Sequence, residues 1–335
     1  MSAGSRAKLE DVARAAGVSV ATASRALNGQ ETVHPVLRRQ VMAAARKVGY
    51  RPHALARGLR MQRTETVGIV IPTITNPHFT EAVQAAQDAL AAAGYATIVS
   101  NAARDPQAER WDIQVLCAGR VDGLILSPTQ TAAGQLLALL PSHLPVVLMD
   151  RRIEGLPWDA VAVNVRKGAM AAVAHLVARG RHRIGFLTGP AGISTADEKL
   201  DGYRAGLREQ GLAFDPALVA PGDYTEAGGW LGTMQLLARR PAPEALIAAN
   251  NLSAIGMVKA VRARGLRVPD DVALVGFDDT VWTQLVEPPL TVVAQPVATL
   301  GATAARLLLR RLAGQAPPEP HHEYLEPALL VRASS

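Results

Sequence analysis

The stretch LEDVARAAGVSVATASRALNG, residues 9–29, reads as two short helices around a tight turn. In the first, Leu9, Val12, Ala13 and Ala16 recur at the i, i+3, i+4, i+7 spacing of an amphipathic helix. Gly17 stands where a helix ends in a left-handed cap. Ser19 follows as an N-cap, because its hydroxyl can accept from a free amide of the next turn. The second helix, Val20 to Leu27, turns Ala23, Ala26 and Leu27 inward and leaves Val20, Ala21, Thr22, Ser24 and Arg25 facing out. A small-residue face with one arginine suits close entry into a DNA major groove, where a guanidinium bonds both acceptors of a guanine. Any small alanine-rich helical hairpin shares part of this pattern, so the charge around it matters.

Residues 1–63 hold twelve basic side chains (Arg6, Lys8, Arg14, Arg25, Arg38, Arg39, Arg46, Lys47, Arg51, Arg57, Arg60, Arg63) against Glu10, Asp11 and Glu31, a net +9. The whole 335-residue chain carries +6, which leaves −3 for residues 64–335. The basic excess belongs to the first fifth of the chain alone. That asymmetry is the electrostatic footprint of a nucleic-acid module joined to a different kind of domain.

The length allows a small head plus a body of two domains, and an apolar content of 49% supports a large core. The lone cysteine, Cys117, excludes an internal disulfide and has no metal-site companions, which points to a reducing cytoplasm. No uninterrupted apolar run approaches ~18 residues, and the N-terminus lacks an apolar signal core. The reading therefore expects neither a membrane span nor export.

A linker, Gln30 to Val33, precedes a third helix from about Pro35 to Val48. Pro35 fits the first helical position, Val41, Ala44, Ala45 and Val48 form the inward stripe, and Tyr50 can close a three-helix core. RPHALARGLR, Arg51 to Arg60, is too short and too glycine-interrupted to hold a helix alone in water. Two copies packed in a minor groove would support it, with Leu59 as the apolar wedge of a base step. The other reading is a plain flexible linker.

The pieces DVARAAGVS, TASRALNG, GYRPHALARGL and VGIVIP closely resemble the LacI/GalR family of bacterial transcription regulators. The resemblance implies that Val20, Ala21 and Arg25 read an operator half-site, with Thr22 and Ser24 near the backbone. It also places Ser19, Asn28, Thr32 and His53 at the duplex and matches Ala56 and Leu59 to the hinge residues of the minor groove. Two departures are His34, where the family usually has a capping serine, and Ala23, where valine is usual.

From Val67 onward short apolar strands alternate with amphipathic helices. The strands are expected at Val67–Ile71, Ala96–Ser100, Gly123–Leu126, Val146–Met149, Ala160–Val163, Ile184–Leu187, Ala245–Ala248 and Val272–Val275. Helices fall at Asn76–Ala93, Gln107–Ala118, Arg166–Ala178 and Leu252–Arg264. This is an α/β rhythm of buried parallel strands. Length favours two doubly wound parallel-sheet subdomains with a cleft at the strands' carboxyl ends. The resemblance covers essentially the whole chain and makes the body periplasmic-binding-protein-like, with three crossings between subdomains, expected near Ala162, Leu290 and Pro320. The division is then 1–50, a helix-turn-helix head; 51–63, the hinge; 64–162 with 291–320; and 163–290 with 321–335.

No Gly-x-Gly-x-x-Gly after a strand, phosphate-binding lysine loop or Gly-x-Ser-x-Gly elbow is present. His175, His182, His321 and His322 lack metal-ligand spacing, so no enzyme, cofactor or metal is expected. By resemblance the pocket comprises Thr73, Ile74, Thr75 and Asn76, then Ser127, Arg151, Val163, Lys199, Asn251 and Asp278. Asp278, in the GFDD turn, could accept two bonds from vicinal hydroxyls or instead cap the following helix. Val163, Lys199 and Asn251 stand where the family commonly has aspartate, arginine and aspartate. A pocket with fewer carboxylates would favour a sugar acid or phosphosugar over a neutral sugar.

The expected partners are a palindromic double-stranded DNA operator, a homodimer mate or higher assembly, and a small sugar-class effector. Dimerisation through the body's outer helices, including Asn76–Ala93, would fit. Alternatives are a co-repressor type, whose ligand strengthens DNA binding, and a solute-binding transport protein. The basic head opposes the latter.

Overall fold

The computed structural model describes residues 7–27, 32–50, 63–129 and 132–335. The chain divides into two compact units, Met1–Thr64 and Glu65–Ser335. Among the described residues no helix is long and apolar enough to cross a membrane.

The head contains α1 (Leu9–Ala16), α2 (Val20–Leu27) and α3 (Pro35–Lys47). Its core is Val12, Ala13, Ala16, Ala23, Ala26, Val33, Val41, Ala44 and Ala45, with Leu9, Leu27, Val48 and Tyr50 packed against it. The inward stripes read from the sequence are therefore the observed ones. Gly17 ends α1 in the left-handed region, at φ 64°, and the Val18 amide donates back to the Ala13 carbonyl at 3.0 Å. Ser19 Oγ accepts from the Thr22 amide at 3.1 Å, which starts α2. His34 supplies the cap of α3 through a long bond, 3.4 Å from the Val36 amide to Nδ1.

The body holds two six-stranded sheets. The first contains β1 (Thr66–Ile71), β2 (Ala96–Asn101), β3 (Gly123–Leu126), β4 (Val146–Met149), β5 (Asp159–Val163) and β11 (His322–Leu325) in the order β11-β5-β4-β3-β1-β2, all parallel. The second contains β6 (Ile184–Leu187), β7 (Val219–Ala220), β8 (Ala245–Ala248), β9 (Ala273–Phe277), β10 (Thr291–Ala294) and β12 (Ala328–Leu330), ordered β12-β10-β9-β8-β6-β7 with only β12 antiparallel. The helices are α4 (Pro77–Ala92), α5 (Pro106–Cys117), α6 (Ala133–Leu139), α7 (Val165–Ala178), α8 (Ser194–Glu209), α9 (Glu226–Leu237), α10 (Asn251–Ala263), α11 (Val281–Leu285) and α12 (Val297–Leu312). β1, β3, β4, β8 and β9 are buried along nearly their whole length, as strands covered on both faces must be.

Two crossings lie later than the sequence reading put them. β10 pairs with β9, Thr291 opposite Val275, so residues 291–294 belong to the second sheet and the chain crosses at Gln295 and Pro296 rather than at Leu290. β11 pairs with β5, His322 opposite Ala160, so residues 322–325 belong to the first sheet and the last crossing is at Glu326 and Pro327. β11 is a half-exposed edge strand, HEYL, whose little apolar character gives no buried-strand pattern. The first crossing, at Asn164, is within two residues of the expected place.

α12 runs beside α4 so closely that a Cβ on Gly301 would stand 1.9 Å from the Ala82 carbonyl oxygen. The obstacle is backbone, which cannot rotate out of the way. Gly301→Val is expected to cost about 3 kcal/mol of body stability through overpacking. Urea unfolding monitored by tryptophan fluorescence checks this, because Trp111, Trp158, Trp230 and Trp282 all lie in the body.

Candidate nucleic-acid interface and ligand cleft

The outer face of α2 presents the residues expected there. Val20 is 43% exposed, an apolar side chain that the head does not bury. Ala21 and Arg25 are exposed, and Thr22 and Ser24 are partly so. Among the described residues the Arg25 guanidinium makes one long bond, 3.4 Å from Nε to the Ala21 carbonyl, and its side chain is exposed. Thr32 is exposed ahead of α3. Asn28, His53, Ala56 and Leu59 lie outside the described residues.

In the body, a narrow polar cleft with a cavity of about 30 Å³ opens where the strands of both sheets end. Thr73, Asn76 and His78 follow β1, Arg104 follows β2, and Asp150 and Arg151 follow β4. From the other sheet come Thr195 after β6, Tyr224 after β7, Asn250 after β8, Asp278 after β9 and Gln295 after β10. Every one of these stands beyond a strand's carboxyl end, where doubly wound sheets bind ligands. Arg104, Asp150, Tyr224 and Asp278 hold left-handed backbone, with φ of 62°, 69°, 62° and 73°. Side chains other than glycine rarely adopt it, and the concentration of strain in one cleft marks a functional region.

His78 is the centre of the polar network. Its Nε2 stands 2.9 Å from Asp150 Oδ1, and its Nδ1 stands 3.5 Å from Asp278 Oδ1. Burial alone would lower the imidazolium's pKa, but Asp150 and Asp278 outweigh it and raise it to about 10. Burial likewise works against the Asp278 carboxylate. The bond and charge of His78, the charge of Lys199 and the Gln295 amide overcome it and bring Asp278 to about 2. Asp278 Oδ2 also accepts from the Asn251 amide at 3.1 Å, placing negative charge at the N-terminus of α10. It does not cap α11, the helix that follows it, which the sequence had left open.

The cations are held differently. Arg151 Nη1 donates to the Pro128 carbonyl at 2.9 Å, with its guanidinium 5.7 Å from the Phe79 ring. Lys199 Nζ donates to the Ala249 carbonyl at 2.8 Å and lies 4.6 Å from the Phe277 ring centre. Arg104 Nη2 reaches across the cleft to the Tyr224 carbonyl at 3.2 Å.

Of the ten pocket residues expected from the sequence, Thr73, Asn76, Arg151, Lys199 and Asp278 line this cavity. The other five do not. Ile74 is 54% exposed, and Thr75 is exposed beside it, because the turn after β1 points them outward. Ser127 and Val163 are buried at the ends of β3 and β5 and do not line the cavity. Asn251 is spent inside the protein: its Oδ1 accepts from Thr280 and from the Trp282 indole. The sequence reading missed His78, Phe79, Arg104, Asp150, Thr195, Tyr224, Asn250 and Gln295. Asp150 was legible, since it adjoins Arg151 at the end of an apolar strand. Tyr224 and Gln295 carry no sequence signal of their own.

A helix-turn-helix head with an exposed α2 face, followed by a two-subdomain body with a polar cleft, defines a regulator of the ligand-binding kind. Residues 8–53 match the bacterial regulatory proteins of the lacI family, and residues 173–335 match the periplasmic binding protein-like domain. The chain is 33% identical over 331 residues to the ribose operon repressor of Escherichia coli (strain K12), covering 98% of this chain and 100% of that one. It is 34% identical over 303 residues to the HTH-type transcriptional regulator GalR of the same organism, covering 90% and 88%. The solved lac repressor dimer bound to operator and the anti-inducer ONPF superposes with a TM-score of 0.87 at 28% identity, covering 98% of this chain and 99% of that one. The transcriptional regulator CelR in complex with cellobiose gives a TM-score of 0.76 at 32% identity, covering 98% and 100%. The chain belongs to the lacI family of bacterial regulatory proteins.

Proposed function

We propose that this chain is a transcriptional repressor that binds a palindromic DNA operator as a homodimer and answers to a small sugar-class ligand in the cleft of its body. The observation that carries the reading is the outer face of α2. Val20, Ala21 and Arg25 stand exposed on a head whose core is complete without them, within a segment of net +9. Solvated basic helices do not need an exposed valine, whereas a groove-reading helix uses small and apolar groups against thymine methyls. Two-fold protein symmetry would impose two-fold symmetry on the operator.

The relatives support the second half. CelR is solved with cellobiose, and the lac repressor with both operator and a small ligand. Here the cleft spans both subdomains, so a ligand bound in it can bias their relative position and thereby the DNA-bound state. The coupling expected for such an effector is about 1–3 kcal/mol, a 5–150-fold change in operator affinity.

The test begins with the full chain and a random duplex pool. Selection is expected to return a two-fold symmetric sequence, and enrichment of none would overturn the repressor reading. Monosaccharides with their acids and phosphates are then titrated into the selected complex. One class is expected to shift operator affinity, and the Arg151→Met variant is expected to lose that response while still binding DNA.

A further inference from the structure

Asp150 and Asp278 are the carboxylates that line the cleft, one from each subdomain, and both are occupied. His78 bonds Asp150 at 2.9 Å and pairs by charge with Asp278 at 3.5 Å, where its Nδ1 makes no hydrogen bond. Gln295 Nε2 donates to Asp278 Oδ1 at 2.6 Å, and the Asn251 amide takes Oδ2. Both Asp278 oxygens are thus spent on protein donors, and Asp150 gives Oδ1 to His78 while its Oδ2 lies 3.9 Å from Arg151 Nε.

Its cations are in the opposite condition. Arg104, Arg151 and Lys199 each give one N–H to a backbone carbonyl rather than to a carboxylate. Arg151 Nε has no hydrogen-bond partner although the residue is only 6% exposed, and its nearest carboxylate oxygen, on Asp150, is 3.9 Å away. Lys199 is 4% exposed and spends one of its three donors. Glu109 and Asp223 lie near Arg151 and Arg104 without lining the cavity, and they accept from Thr129 and Thr225. Buried cationic donors left unpaired are costly, and a ligand that brings acceptors removes that cost.

Resting on the reading of this cleft as a ligand site, we infer that its ligand is an anion, a sugar acid or sugar phosphate, seated on Arg104, Arg151 and Lys199. His78 sets the preference, because it occupies the carboxylates that would otherwise accept a neutral sugar's hydroxyls. Val163 and Asn251, the positions where the sequence lacks an expected negative charge, do not line the cavity. The preference comes instead from a histidine that neutralises carboxylates still present.

Thermal unfolding of the full chain at constant ionic strength tests this, with tryptophan fluorescence reporting the body. The probes are D-gluconate, D-glucose 6-phosphate and inorganic phosphate, with D-glucose and D-ribose as neutral controls. A ligand that binds the native state raises the midpoint by mass action. At least one of the three anions is expected to do so, and the gluconate and glucose 6-phosphate arms distinguish carboxylate from phosphate. In Arg151→Met and Lys199→Met the half-saturating anion concentration should rise about 10- to 100-fold, as loss of one charge-assisted hydrogen bond requires. His78→Phe frees Asp150 and is expected to gain protection from D-glucose or D-ribose.

Equal anion protection in the native chain and both methionine variants would be a general salt effect and overturns the inference. So does silence from all three anions. Protection by neutral sugars alone overturns it while leaving the ligand cleft standing. The ligand reading itself falls only if the library also leaves operator affinity unchanged. A His78→Phe protein that binds the anion normally and ignores neutral sugars removes His78 from the explanation.

Discussion

Arg25→Ala is expected to weaken binding to the selected operator by about 1–3 kcal/mol per head. A two-fold dimer places this arginine in both half-sites, so the loss doubles to about 2–6 kcal/mol, roughly 30- to 20,000-fold. The geometry supports a base-reading rather than a structural role. Ala23 and Ala26 are buried and fix the roll of α2, while Arg25 points away from the core with a single long bond to Ala21. Nothing in the head's core depends on its side chain, so the variant should fold as the parent does. Affinity for a scrambled duplex should fall far less, because the other basic side chains of the head still neutralise phosphates. Fluorescence anisotropy against selected and scrambled duplexes, at one stated salt concentration, measures the ratio. An unchanged ratio would show that α2 is not the reading helix.

Raising the pH from 7 to 10 is expected to destabilise the body by up to about 1.4 kcal/mol per pH unit, about 4 kcal/mol in all. The sign follows from His78. In the unfolded chain it loses its proton near 6.5, whereas in the fold it keeps it to about 10. Between these values the native state binds one more proton, so stability falls as pH rises. The contribution is complete below 6.5 and gone above about 10. Asp278 acts at the other end: its contribution is present above 3.8 and is lost as pH falls through about 2. The His78–Asp278 contact should thus be worth most between about pH 4 and 6.5. His78→Gln should remove the alkaline slope that the native chain shows below pH 9 in urea midpoints followed by tryptophan fluorescence, before the Cys117 thiol, which burial raises to about 11, adds its own loss. If both proteins lose stability in parallel from pH 7 to 10, His78 is not the proton involved.

The two units were legible to different degrees. In the head, the stripe Val12, Ala13, Ala16 and the pair Ala23, Ala26 announced the core, and Ser19 announced the start of α2. Helices this short close their contacts within three or four residues, so periodicity and capping say nearly everything. In the body, the apolar runs Val146–Met149 and Ala245–Ala248 announced buried strands. β10 went unplaced although TVVA is apolar and β-branched, because the crossing was expected at Leu290, immediately before it. β7, two residues long, and the half-exposed β11 carry almost no periodic signal.

Composition and local spacing alone determined that a basic helix-turn-helix head precedes an α/β body, because charge, capping and apolar period are properties of neighbouring residues. The chemistry of the cleft was decided by tertiary structure. His78 meets Asp150 across 72 positions, and Arg104 meets Tyr224 across 120. Those meetings depend on which strand end follows which in the two sheets. Whether Asp278 is free for a ligand or already held, and whether Asn251 faces the cavity or the protein, is likewise set by groups distant in the chain, which no local pattern records.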